Sequence, residues 1–239
     1  MRAESLTAQN VEVALKKLAT KKRAESSQWF FKTGKGQYGF GDKFLGVNVP
    51  DQRKVSKRFQ ELPLIENKKL LNSEFHECRL TALLILVIQF KNADEQVKGK
   101  IVKHYLSNIT RVNNWDLVDS SAAQILGEHL YGGDTKLLYK LASSKSLWER
   151  RISIISTFAF IKRNEFDDSL ALCELLLQDK EDLMHKAVGW TLREIGKKSK
   201  AELVSFLKKH AHDMPRTALR YSLEHFDKPE RVKYMKQVS

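Results

Sequence analysis

Four side chains in this sequence stand where helix packing alone does not explain them: Trp115, Asp119, Arg151 and Trp190. Asn113 can cap the helix that begins Trp115-Asp116, and Asp116 three residues on favours its N-terminus. On that helix Trp115 and Asp119 share a face with Val118, Ala122, Ile125 and Leu126. A carboxylate in such company is costly, so Asp119 is either an expensive half-buried charge or a partnered one, a structural ion pair being the plainer reading. One repeat on, Arg151 falls on an apolar face beside Trp148, Ile152, Ile155 and Phe158. Two readings stay open: Arg151 pairs Asp119 for structure, or both open onto a cleft where Arg151 holds a phosphate and Asp119 meets a cation.

The segment from Leu183 to Lys197 carries the other signal. At 100° per residue Met184, Val188, Leu192 and Ile195 form one apolar face, and Lys186, Trp190, Arg193 and Lys197 gather on the opposite one. Cations for phosphates and an indole for a sugar or base make a surface suited to tracking a nucleic-acid backbone. A Trp packed against a neighbouring repeat is the plainer alternative.

These side chains must be carried by helices. Helical periodicity runs through nearly the whole chain, with segments at about 7–31, 50–61, 64–72, 74–91, 94–109, 114–131, 134–143, 147–163, 166–178, 181–197, 199–209, 215–225 and 229–236. The four prolines, Pro50, Pro63, Pro215 and Pro229, sit where segments begin or end. Five of eleven glycines fall between Gly34 and Gly46, the one real loop. Large apolar residues open alternate helices at Phe75, Trp115, Trp148 and Leu183, in steps of 40, 33 and 35 residues. That spacing predicts an all-α superhelix of degenerate HEAT-like helix pairs, as a single domain over 1–239.

Composition narrows the partners. With 42 Lys and Arg against 29 Asp and Glu, the formal charge of +13 predicts a polyanion as partner. A hydrophobic fraction of 42% is too high for a disordered chain, and the run from Leu80 to Phe90 is too short to span a bilayer. The opening Met1-Arg2-Ala3-Glu4-Ser5 lacks a secretory leader, so a cytoplasmic protein is expected. Cys78 and Cys173 read as small buried residues rather than a disulfide or metal pair.

Gly34-Lys-Gly36-Gln-Tyr-Gly39 matches a dinucleotide fingerprint formally, but no strand precedes it. The seven histidines show no metal-binding spacing. Neither cofactor nor metal is expected.

Five stretches together resemble the AlkD-like family of DNA alkylation repair glycosylases. They are Phe31-Lys-Thr-Gly-Lys-Gly-Gln-Tyr-Gly, Phe44-Leu-Gly-Val-Asn-Val-Pro-Asp-Gln-Arg53, Asn114-Trp-Asp-Leu-Val-Asp119, Trp148-Glu-Arg-Arg151 and Lys186-Ala-Val-Gly-Trp-Thr-Leu-Arg-Glu194. The resemblance covers nearly the whole chain and implies a HEAT-like fold with a concave basic cleft. It implies Asp119 as catalytic carboxylate, Trp115 and Trp190 as walls around the damaged nucleotide's sugar, and Arg151 as a cleft arginine near the DNA backbone. Arg193 matches a basic residue beside it, and Asn48 a polar residue at a helix N-terminus close to DNA. Lys186 and Lys197 complete the basic stripe. The implied activity is hydrolysis of the glycosidic bond of N3- or N7-alkylated purines in duplex DNA; a monomer is expected. No Lys lies in the assigned cleft to form a Schiff base, so the product would be an abasic site.

Overall fold

The computed structural model describes residues 6–236, so the Met1–Ser5 stretch lies outside the described residues. These form α1 (Ala8–Lys16), α2 (Lys21–Phe30), α3 (Val49–Arg58), α4 (Leu64–Leu71), α5 (His76–Asn92), α6 (Glu95–Ser107), α7 (Trp115–Asp119), α8 (Glu128–Leu130), α9 (Lys136–Ala142), α10 (Leu147–Ser156), α11 (Phe158–Ile161), α12 (Asp167–Leu175), α13 (Asp182–Lys198), α14 (Lys200–His210), α15 (Arg216–Ser222) and α16 (Lys228–Met235). A 3-10 turn follows α6 and a π turn, Ala123–Gly127, precedes α8. The only β pairing among the described residues is an isolated bridge between Lys43 and Phe75. The all-α expectation therefore holds, and no described helix is long and apolar enough to cross a membrane.

Local chemistry explains the helix starts. Asn48, Asp94, Asn114, Ser146, Ser199 and Asp227 each accept a hydrogen bond from a first-turn amide, satisfying a donor that the helix leaves over. Phe75, Trp115, Trp148 and Leu183 all fall at or within two residues of a helix start, as the repeat spacing requires.

Three expected helices are interrupted. The 7–31 segment is two helices, because Thr20 is extended and its N–H turns to the Gly46 carbonyl at 3.3 Å. The 147–163 segment breaks at Thr157, whose hydroxyl donates to the Ile154 carbonyl at 2.7 Å. The 114–131 segment stops at Asp119; Ser121 donates its hydroxyl to the Leu117 carbonyl at 2.6 Å and the π turn follows.

By packing, the residues up to Ile125 form one compact unit and those from Leu126 onward a second. The first is organised around α5, which packs on α1, α3, α4, α6 and α7. Leu80, Leu83, Ile85 and Leu86 are buried there, each contributing about 1.5–3 kcal/mol of burial free energy. The second is organised around α13, which packs on α10, α11, α12, α14 and α15. Gly189 sets its closest approach: a Cβ there would lie 2.5 Å from the Ala218 carbonyl oxygen of α15. Cys78 and Cys173 are free and buried.

Candidate active site

The candidate site in the first unit starts with α7. The cap is Asn114, whose Oδ1 accepts the Trp115 N–H at 2.8 Å; it is not Asn113. One helical turn separates Trp115 from Asp119, so both project to the same side, and both are half-buried. They line one cavity of about 420 Å³ together with Phe30, Phe31, Asn48 and His76.

The Trp115 indole is held on several sides. Its ring stacks on Phe31 at 5.4 Å between centroids and meets the edge of Phe30 at 5.9 Å. Its Nε1 donates to the Tyr38 hydroxyl at 3.3 Å. Tyr38 and Phe31 come from the glycine-rich segment and its approach. Gly39 leaves no room for a side chain, since a Cβ would sit 2.3 Å from the Phe31 carbonyl oxygen.

Beneath this aromatic layer lies a buried charge cluster. The His76 ring, at the first position of α5, is 4.8 Å from both Phe31 and Phe44. Its Nε2 is 2.7 Å from Asp116 and its Nδ1 3.2 Å from Asp42. Burial opposes the imidazolium, but the charge and hydrogen bond of Asp116 and the hydrogen bond of Asp42 outweigh it and push the pKa up to about 9. Asp42 also accepts from Arg79 at 2.6 Å and from Asn114 at 3.2 Å. Burial raises Asp42, yet His76 and Arg79 together hold it below the ordinary carboxylate range. The cluster joins the loop, α5 and the start of α7 through charged hydrogen bonds.

Glu77 anchors the far wall. Buried, it accepts from the N–H groups of Leu45 at 2.9 Å, Gly46 at 2.7 Å and Val47 at 3.2 Å. Gly46 has φ of 84°, and a Cβ there would lie 2.2 Å from the Thr20 carbonyl oxygen. The next residue but one, Asn48, caps α3 by accepting the Asp51 N–H at 2.9 Å, at the helix N-terminus the resemblance implies.

The second unit holds the remaining expected residues. Met184, Val188, Leu192 and Ile195 are all buried, and Trp190 is half-buried on the other side of α13. Its ring meets Phe158 edge-on at 4.7 Å and its Nε1 donates to Glu194 at 3.0 Å. The basic stripe is interleaved with carboxylates: Lys186 pairs Asp182 at 2.7 Å, Lys197 pairs Glu194 at 2.8 Å, and Arg193 pairs Glu224. Arg151 is buried and donates to the Leu183 carbonyl at 2.7 Å, tying α10 to the start of α13.

Trp115, Asp119 and Asn48 thus share one cavity, whereas Arg151, Trp190, Lys186, Arg193 and Lys197 belong to the second unit. Sequence reasoning missed His76, Asp42, Glu77, Phe31 and Tyr38. The available signal was His76-Glu77-Cys-Arg79 opening a helix that is otherwise nearly all apolar, since charges there must find buried partners.

Comparison with known proteins bears on the fold and the family. A solved structure described as a predicted DNA alkylation repair enzyme from Enterococcus faecalis superposes with a TM-score of 0.68 at 15% identity, covering 88% of this chain and 97% of that one. At that identity the likeness establishes the fold alone. No curated protein matches the chain. The family model for DNA alkylation repair enzymes matches residues 11–226. The chain therefore belongs to the DNA alkylation repair enzyme family.

Proposed function

We propose that this protein is a monofunctional DNA glycosylase that hydrolyses the glycosidic bond of cationic N3- or N7-alkylated purines in duplex DNA. The observation that carries the reading is the placement of Trp115 and Asp119, one turn apart on α7, on the wall of one cavity of about 420 Å³. An alkylated purine already bears positive charge, so its departure needs no general acid. As the bond breaks the deoxyribose becomes oxocarbenium-like, and a fixed carboxylate opposes that charge. The electron-rich face of Trp115 adds cation–π attraction. Asp119 can also orient the attacking water.

Preorganisation supports the same reading. Trp115 is stacked and hydrogen-bonded before any ligand arrives, and Asp116, its neighbour, is tied to His76. In the second unit this reading takes Trp190 and the stripe of Lys186, Arg193 and Lys197 as DNA contacts, and Arg151, buried against the Leu183 carbonyl, as the residue that fixes the start of α13. Asn48 is assigned to the DNA backbone near α3.

The test is release of free base from duplexes containing 7-methylguanine, 3-methyladenine or uracil. Release of the two methylated bases, with intact abasic strands, is expected. Efficient uracil release, or none from either methylated duplex, overturns the proposal.

A further inference from the structure

Helix α2 has no buried residue, and its last turn ends in Trp29 and Phe30, 84% and 56% exposed. An indole so open to water is unusual for a chain folding alone, and a pair of adjacent aromatics more so. Two grooves flank the pair. One, of about 770 Å³, is lined by Arg23, Ser26, Trp29, Phe30 and Asn48; the other, of about 720 Å³, by Trp29, Phe30, Lys32 and Gln37. Both are large enough for a planar heterocycle with its sugar. Phe30 and Asn48 line the first groove and also the cavity that holds Trp115 and Asp119, so the two adjoin.

Charge selects the occupant. Lys21, Lys22, Arg23, Lys32 and Lys35 are exposed on α2 and the segment after it, with Glu25 the carboxylate among them. An apolar peptide would leave those cations without partners, whereas a nucleic-acid strand satisfies rings and cations together.

We infer that Trp29 and Phe30 form a stacking site for an unstacked nucleobase, with the surrounding cations holding the adjacent phosphates. The inference rests on the DNA-directed reading above and extends it. Removing a damaged base leaves its opposite base without a pairing partner, and such a base has an open face to offer. Stacking needs that open face, so a fully paired duplex gains little from these two rings.

The test compares equilibrium binding to a fully paired duplex and to the same duplex with a single-purine bulge, which exposes a base without a lesion. The protein should prefer the bulged duplex. Trp29→Ala should weaken bulge binding about 10-fold, the scale of losing one base–aromatic stack, and paired-duplex binding by less than about 2-fold. Trp29→Phe should restore most of the difference. No preference for the bulge, or equal losses on both duplexes, overturns the inference. Base release by the unaltered protein is measured in parallel: its absence together with selective bulge loss would remove the glycosylase reading and support this site.

Discussion

The His76 imidazole meets the Asp116 carboxylate at 2.7 Å directly beneath the ring layer that supports Trp115. With a folded pKa of about 9 against an ordinary 6.5, the ring is charged at neutral pH. Its stabilisation is fully present below pH 6.5 and is lost as pH rises through about 9. Urea unfolding of the native chain and His76→Gln should differ by up to about 3 kcal/mol at pH 6, narrowing between pH 6.5 and 9. A difference constant across that range would show that the contact is not charge-assisted.

Asp119→Asn keeps shape and hydrogen bonding and deletes the charge. Single-turnover excision of 7-methylguanine should fall by about 10² to 10³, the cost of one preorganised electrostatic contact, while DNA binding and melting temperature stay near native. A large drop in melting temperature with a proportionate loss of binding would assign Asp119 to structure instead.

Gly46→Ala should destabilise the protein by about 2 kcal/mol or more. The residue adopts a positive φ and the new methyl would meet the Thr20 carbonyl and the Ala24 backbone. Because Glu77 grips the same backbone, excision should drop with stability; a neutral melting temperature would refute the close approach.

In the proposed DNA complex, the carboxylates paired with the α13 cations would compete with phosphates for them. The Arg193 hydrogen bond is the largest cause holding Glu224 below its ordinary carboxylate range. Glu224→Gln should therefore raise affinity for damaged and undamaged duplexes alike by a few-fold, and Arg193→Ala should lower both, since phosphate contacts carry no lesion information. Titrations over a salt series measure both; a gain confined to damaged DNA would contradict the assignment.

How far the sequence could be read depends on the range of the forces involved. Helix identity, the loop and the α7 pairing of Trp115 with Asp119 follow from local periodicity, so they were legible, although the cap was read one residue early, at Asn113 rather than Asn114. The break at Thr20 was not, because it answers to Gly46, far along the chain. Nor could the sequence show that Asp42 reaches His76, Arg79 and Asn114, since three separate segments converge there only after folding. The basic face of α13 was visible as a stripe, but Glu224, which pairs Arg193, comes from beyond α15. Trp29 gave no signal, as its exposure depends on what its neighbours fail to cover.

Helix α2 and helix α5 differ sharply in how much they bury. Most of the 17 residues of α5 are buried, whereas α2 has none, so opening α2 forfeits little apolar burial. Its amides should exchange with deuterium long before those of α5, at a free-energy cost far below that of global unfolding. The wall that carries Trp29 and Phe30 is then held by little burial of its own, and a ligand seated there would register as slowed exchange along Lys21–Phe30.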